Sequence, residues 1–360
     1  MIKHKIALVN IYPAKTGVGA VAKLYYDIIS HMSDTLTITF YQILEKNGID
    51  PPIKDCITWY NTYRIPHFLK VLFSRIFSTP LHLKNIPENL LLLCDPTISF
   101  HISGKKKRVV IVHDLRPFTR FETNSGEKLF YYLIKNSFIS CDFFICDSYF
   151  TKSHLLKLGA QEDKTAVIYP FVNRQDAIVG RTLQDGTITI SYIANNLPYK
   201  NVETFLKIAK LVSANERKQE NFKFILVSNG LDDKLNDLNL GNCQISILSN
   251  VDDIDQIYSN TDIYLTTSLY EGIGLPVLEA MSKGIPIIAS RIQVNEELIE
   301  GYGILCDPDY LEDWANSIFE LTDQITYQKY SNKSLERARK FTEDYFIKNF
   351  QMALEKLTQK

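Results

Sequence analysis

Tyr270-Glu271-Gly272-Ile273-Gly274-Leu275-Pro276-Val277-Leu278-Glu279-Ala280-Met281 is the stretch that decides how this chain is read. Two glutamates stand eight positions apart, separated by a Gly-X-Gly loop and a proline. Gly272 and Gly274 let the backbone approach a ligand closely and reach conformations that other residues disfavour. Pro276 suits the first turn of a helix, where its missing N–H would have no internal partner anyway. Gly284 is placed to stop that helix. The N–H groups around Ile273, Gly274 and Leu275, with the positive end of the helix dipole, form an anion site of a size for a pyrophosphate. Glu271 precedes the loop and Glu279 lies about one turn into the helix. One carboxylate can therefore lie on one side of a bound anion and accept hydrogen bonds there, with the other on the far side. A glycine turn before a helix often serves packing alone, and the two glutamates with the proline set this one apart.

Working outward, Ile263–Thr266 precedes the stretch and Ile285–Ala289 follows it, both short apolar runs that read as buried strands. The same kind of run recurs at Ile188–Ile193, Phe224–Val227 and Ile245–Leu248, and earlier at Ile6–Asn10, Val109–His113, Phe143–Cys146 and Ala166–Tyr169. Helical patterns alternate with them, which implies parallel sheets covered on both faces. The polar stretch Asn173–Gly186 reads as a linker. Two doubly wound, Rossmann-like α/β domains follow, one over 1–175 and one over 176–340, with a terminal helix over 341–360. Ligands of such sheets sit beyond the carboxyl ends of the strands.

At 360 residues the chain is long enough for two such domains. No run of 18 apolar residues marks a membrane span. The apolar run after Met1-Ile2-Lys3-His4-Lys5 is too short for a signal peptide. Six cysteines without a CxxC pair fit a reducing compartment, so a cytoplasmic location is expected. The net charge of −1 conceals an asymmetry. Residues 1–175 hold 22 Lys/Arg against 14 Asp/Glu, and residues 176–360 hold 18 against 27. The basic half suits a phosphate-bearing partner. Nucleic acid is not expected, because no basic-aromatic reader motif is present.

The central stretch resembles the Glu-x7-Glu signature of retaining GT-B glycosyltransferases of family 4 (glycosyl transferases group 1), down to the strand Gly284-Ile285-Pro286-Ile287-Ile288-Ala289-Ser290. The resemblance implies a GT-B fold, with two Rossmann-like domains facing a cleft. It also implies transfer of a sugar, with retention, from a UDP- or GDP-sugar to a hydroxyl of a glycan or lipid-linked acceptor. No metal or other cofactor is implied, and the seven histidines are scattered. Glu271 would orient a donor-sugar hydroxyl and Glu279 the ribose hydroxyls. Gly272, Ile273, Gly274 and Leu275 would line the diphosphate. Thr16-Gly17-Val18-Gly19 resembles the family's glycine loop after the first strand, placing Gly17 and Gly19 near donor phosphates and acceptor. His113-Asp114 resembles its His-Asp element, with His113 against the donor sugar. Asp147-Ser148-Tyr149-Phe150-Thr151 resembles a Ser-x-x-Thr helix start, which reads as structural with Ser148 as N-cap. Asn250-Val251-Asp252-Asp253 stands where the base is usually cupped, with Val251 in that contact.

One departure matters. Where the family has Gly-Arg followed by Lys-Asn, this chain has Ala194-Asn195 and then Lys200-Asn201. Lys200 keeps one cation for the diphosphate, while Asn195 cannot supply the guanidinium fork. That substitution keeps a non-catalytic partner subunit open beside the enzyme reading, and a sugar-nucleotide epimerase shares the fold. A nicotinamide oxidoreductase would want a third glycine after Gly17 and Gly19, and none follows. Residues 63–84 carry an apolar stripe at helical spacing among cations, and 105–108 is Lys-Lys-Lys-Arg. Such segments can lie on an anionic membrane surface or serve as an ordinary domain helix and pre-strand turn. A location at the inner face of the membrane is therefore a second expectation.

Overall fold

The computed structural model describes residues 4–12, 16–32, 36–44, 57–60, 79–99, 106–118, 135–136, 138–172, 182–183, 186–215, 221–228 and 244–358. Two compact units divide the chain. Met1–Pro170 and Phe346–Lys360 make the first, Phe171–Tyr345 the second. The division falls just ahead of Asn173–Gly186, most of which lies outside the described residues.

The first domain holds seven parallel strands in the order β3-β2-β1-β4-β5-β6-β7. They are β1 His4–Asn10, β2 Leu36–Leu44, β3 Ile57–Tyr60, β4 Leu90–Leu93, β5 Lys107–Val112, β6 Phe143–Cys146 and β7 Thr165–Val167. Among the described residues, helices α1 Gly17–His31, α2 Thr79–Asn85 and α3 Tyr149–Lys157 accompany them. The centre of the sheet is apolar on both faces: Ala7, Leu8, Val9, Leu91, Leu93, Val110, Ile111 and Val112 are all buried. This is what a sheet covered on both sides requires.

The second domain repeats the plan with six parallel strands in the order β10-β9-β8-β11-β12-β13. They are β8 Thr187–Ile193, β9 Asn221–Val227, β10 Gln244–Leu248, β11 Ile263–Thr266, β12 Ile287–Ser290 and β13 Ile304–Cys306. Among the described residues its helices are α4 Val202–Ser213, α5 Ile254–Ser259, α6 Leu275–Ser282, α7 Gln293–Ile299, α8 Leu311–Glu320 and α9 Gln324–Ala338. On α4, Val202, Phe205, Leu206, Ala209 and Val212 form a buried stripe at 3–4 spacing. Each sheet thus has the Rossmann order, with its switch point between β1 and β4 or between β8 and β11.

The nine expected strands are all present, with ends shifted by up to three residues. β2, β3, β4 and β13 are additional. Thr37, Thr39 and Gln42 interrupt the apolar run of β2, and the four leucines of β4 suit a helix as well as a strand. The last helix, α10 Glu343–Thr358, packs in the first domain from Phe346 onward. Phe346 and Phe350 meet the buried Tyr25 ring edge-on at 4.7 and 5.9 Å, and Lys107 Nζ donates to Leu357 O at 2.7 Å.

One local expectation is corrected. Gly17 and Gly19 do not form a loop but open α1. Thr16 is the N-cap, and its hydroxyl accepts from the Gly19 N–H at 3.0 Å, so the helix starts at Gly17.

Candidate functional site

The second domain builds its site at its switch point. Lys200 follows β8 and Glu271 follows β11, the two neighbouring strands at which the order reverses. Lys200 Nζ lies 2.5 Å from Glu271 Oε1, and both side chains are largely shielded, at 14% and 16% exposure. Lys200 closes the short 3-10 turn Pro198–Lys200, and Asn201 takes a left-handed φ of 50° before α4. This turn is stitched to the loop before Glu271. Leu269 N–H donates to Tyr199 O at 2.7 Å, Thr267 Oγ1 to Asn201 O at 2.9 Å and Tyr192 Oη to Lys200 O at 2.7 Å. The Lys200–Glu271 pair is therefore fixed by backbone on both sides.

Beyond Glu271 the chain turns into α6 through Gly274, which has φ +77°. Gly272 is not in the left-handed region, so only the second glycine uses the conformational freedom expected of both. Pro276 stands in the first turn, and the first internal bond of α6 runs from Val277 N–H to Gly274 O at 2.9 Å. The N–H groups of Gly274 and Leu275 precede that bond and lie at the positive end of the helix dipole. Ile273 is buried beneath the loop. The helix ends before Gly284, which has φ +71° and donates to Met281 O at 3.0 Å.

Glu279 faces Tyr258, whose hydroxyl donates to Glu279 Oε2 at 2.6 Å. Burial pushes the Glu279 carboxyl above its ordinary pKa, the Tyr258 bond pulls it down, and Asp255 and Lys283 act from further off. Lys283 is itself paired with Asp255 at 2.9 Å. Asn195 is exposed just after β8. Val251 packs beside Ile225, Val227 and Ile257 at the end of β10, next to Asn250 at φ +52°.

In the first domain the strand ends carry different chemistry. Tyr12, after β1, donates its hydroxyl to Asp95 Oδ2, after β4, at 2.6 Å. His113 follows β5, and its Nδ1 lies 2.7 Å from Asp147 Oδ2, after β6. Asp147 is almost fully buried, with 2% of its side chain exposed. Burial works against a charged His113 ring, but the charge and hydrogen bond of Asp147, with Asp95 and Asp114 behind, raise its pKa on balance. His113 Nε2 is buried without a partner among the described residues. Ser148 caps α3 by accepting from Thr151 N–H at 3.0 Å.

Three residues of this chemistry were not singled out from the sequence as site residues: Tyr192, Ser268 and Tyr258. Asp147 was read only as part of a structural cap. The contacts Tyr192–Ser268, Tyr258–Glu279 and His113–Asp147 span 76, 21 and 34 positions, and only Ser268–Glu271, three positions apart, is short-range. The basic segments behave differently from a free cationic patch. Lys106 donates to Ile86 O, Lys107 to Leu357 O and Arg108 to Ser99 O and Ser140 O. Residues 63–78 and Lys105 lie outside the described residues. Among the described residues no helix is long and apolar enough to cross a membrane, and no three His, Cys, Asp or Glu side chains cluster as metal ligands.

Sucrose-phosphate synthase of Thermosynechococcus elongatus superposes with a TM-score of 0.77 at 16% identity, over 99% of this chain and 100% of its own. Anabaena HepE, solved with UDP and glucose, superposes at 0.73 and 16% identity, over 98% and 99%. The fold is GT-B. Residues 187–324, the greater part of the second domain of this GT-B chain, match the family described as Glycosyl transferases group 1. The O-antigen chain mannosyltransferase RfbU of Salmonella typhimurium is 26% identical over 222 residues, which cover 59% of this chain and 60% of RfbU. The chain thus spans less than two thirds of that curated relative.

Proposed function

We propose that the protein is a retaining glycosyltransferase that moves a sugar from a nucleoside diphosphate sugar to an acceptor hydroxyl of a glycan or lipid-linked glycan. The observation that carries the reading is the Lys200–Glu271 pair at the switch point, beside the N-terminus of α6. The resemblance of the second domain to Glycosyl transferases group 1 supports it.

In this reading the diphosphate lies against the Gly274 and Leu275 N–H groups and takes the Lys200 ammonium from Glu271. As the anomeric C–O bond breaks, negative charge grows on the leaving phosphate. The fixed N–H groups, the helix dipole and Lys200 stabilise it without reorganising. Glu271 orients a hydroxyl of the donor sugar, and Glu279, held by Tyr258, accepts from the ribose hydroxyls. His113, with Asp147 fixing its Nδ1, is the first domain's candidate partner for a sugar hydroxyl. The acceptor hydroxyl enters on the face the phosphate leaves and gives its proton to the departing phosphate oxygen, so the anomeric configuration is kept. The first domain's switch point carries the Tyr12 hydroxyl on the Asp95 carboxylate, groups that suit hydroxyls of an acceptor.

The test is incubation with UDP- and GDP-hexoses and NMR of any glycoside or free sugar released. An α-linked donor giving an α-configured first product supports retention, and a β product contradicts it. Asn195 in place of an arginine is the observation that favours the second reading, a partner subunit without activity. Nucleotide binding without any turnover by the pure protein would select it.

A further inference from the structure

Glu271 has two kinds of partner, and only one of them is needed elsewhere. Lys200 Nζ sits 2.5 Å from Glu271 Oε1, and the Ser268 hydroxyl donates to the same oxygen at 2.7 Å. Ser268 is fully buried and lies 2.8 Å from the hydroxyl of Tyr192, itself 1% exposed near the carboxyl end of β8. Tyr192 in turn lies 2.7 Å from the carbonyl oxygen of Lys200. The two hydroxyls thus connect the carboxylate at one end to the backbone of the cation at the other. Each has a single proton. Ser268 gives its proton to the charged Glu271, the strongest acceptor in reach, and Tyr192 gives its own to Lys200 O while its oxygen rests against Ser268 Oγ.

Resting on the reading of this site as a donor site, we propose that Tyr192 and Ser268 are positioning residues that hold Glu271 in place when Lys200 leaves it for the donor's diphosphate. Glu271 stands where it neutralises Lys200. A diphosphate is the better anion for that ammonium, since it brings more charge and the helix N-terminus assists it. Glu271 then loses its cation and would be free to swing. Ser268 is the partner that stays, because it is anchored on the strand-end loop of β11 and backed by Tyr192 inside the core. The pair therefore matters little for binding the nucleotide and much for what Glu271 does afterwards.

The test uses the full chain with UDP and GDP as binding probes, and UDP- and GDP-hexoses as donors with water as the acceptor. Ser268→Ala should bind the preferred nucleoside diphosphate within about twofold of the unmodified chain while donor turnover falls by about tenfold or more, the scale of one hydrogen bond to a charged group. Tyr192→Phe, which removes only the backing hydroxyl, should show the same split with a smaller loss in kcat. Ser268→Thr keeps the hydroxyl and should restore turnover.

Unchanged turnover in Ser268→Ala would overturn the proposal, and so would an equal loss of binding and turnover that Ser268→Thr does not rescue. If the unmodified chain binds no nucleoside diphosphate, the donor-site reading itself has failed and the positioning role goes with it. If it binds and Ser268→Ala turns over normally, only the positioning role is lost.

Discussion

The two domains share one strand order and place different chemistry at the same topological position. At the switch point of the first, a phenol meets a carboxylate, Tyr12 on Asp95 at 2.6 Å. At that of the second, an ammonium meets a carboxylate, Lys200 on Glu271 at 2.5 Å, beside a helix whose first turn follows a left-handed glycine. In the first domain Asp147, Asp95 and Asp114 act together on His113 and raise its pKa against the effect of burial. The scaffold sets where a ligand sits, and the side chains at the strand ends set what it is. Of the basic residues in the first half, Lys106, Lys107 and Arg108 donate to backbone carbonyls.

The comparison breaks most sharply at Glu271. Glu271→Gln should lower donor turnover by at least about 100-fold, the scale of removing one aimed polar group from a reaction centre. The nucleoside diphosphate should bind as tightly as before or more tightly, because Lys200 no longer has a competing carboxylate. Steady-state turnover and calorimetry on the same preparation check both halves. Tyr258→Phe comes next. It removes the 2.6 Å bond to Glu279 and should cost about 1.5–3 kcal/mol in denaturant unfolding, as for hydrogen bonds to charged groups.

Gly274→Ala forces a side chain into φ +77° and should cost about 1–2 kcal/mol. Gly301 has φ +79° in open surroundings, so Gly301→Ala should cost as much without touching nucleotide binding. A difference in binding between these two variants would assign the α6 turn to the ligand rather than to folding.

The smallest effect is expected in the first domain. His113 has its pKa raised in the folded chain, so the stability it contributes is complete below its unfolded value of about 6.5 and fades as pH rises through the higher folded value. A melting profile against pH should fall over that window, and Asp147→Asn should flatten it. A profile unchanged in Asp147→Asn would remove the His113–Asp147 pair from the account.

Much of this architecture could be read before any coordinates. Strands such as Phe143–Cys146 and Ile263–Thr266 are short apolar runs bounded by polar residues, and their period is legible in isolation. β2 is not, because Thr37, Thr39 and Gln42 gain their places only through pairing with β1 and β3. Glu271, Gly274 and Glu279 stand in one contiguous stretch, and the helix that relates them is local. Ser268 stands three positions before Glu271 but looks like any core serine in the sequence, and Tyr258 lies 21 positions before Glu279. Each is an ordinary core hydroxyl until the sheet brings Tyr192 to Ser268 and α5 brings Tyr258 to Glu279. The start of α1 shows the opposite failure, since the glycines at 17 and 19 suggested a loop and the Thr16 hydroxyl made a helix of it.

Titration calorimetry of UDP, GDP and ADP against the unmodified chain and Lys200→Ala, without added metal, tests the central claim most directly. The account predicts that one nucleoside diphosphate binds and that Lys200→Ala weakens it by about tenfold or more, the loss of a single charge-assisted contact. Equal affinity in the two proteins, or no binding by the unmodified chain, would contradict the assignment of the diphosphate to the second domain's switch point.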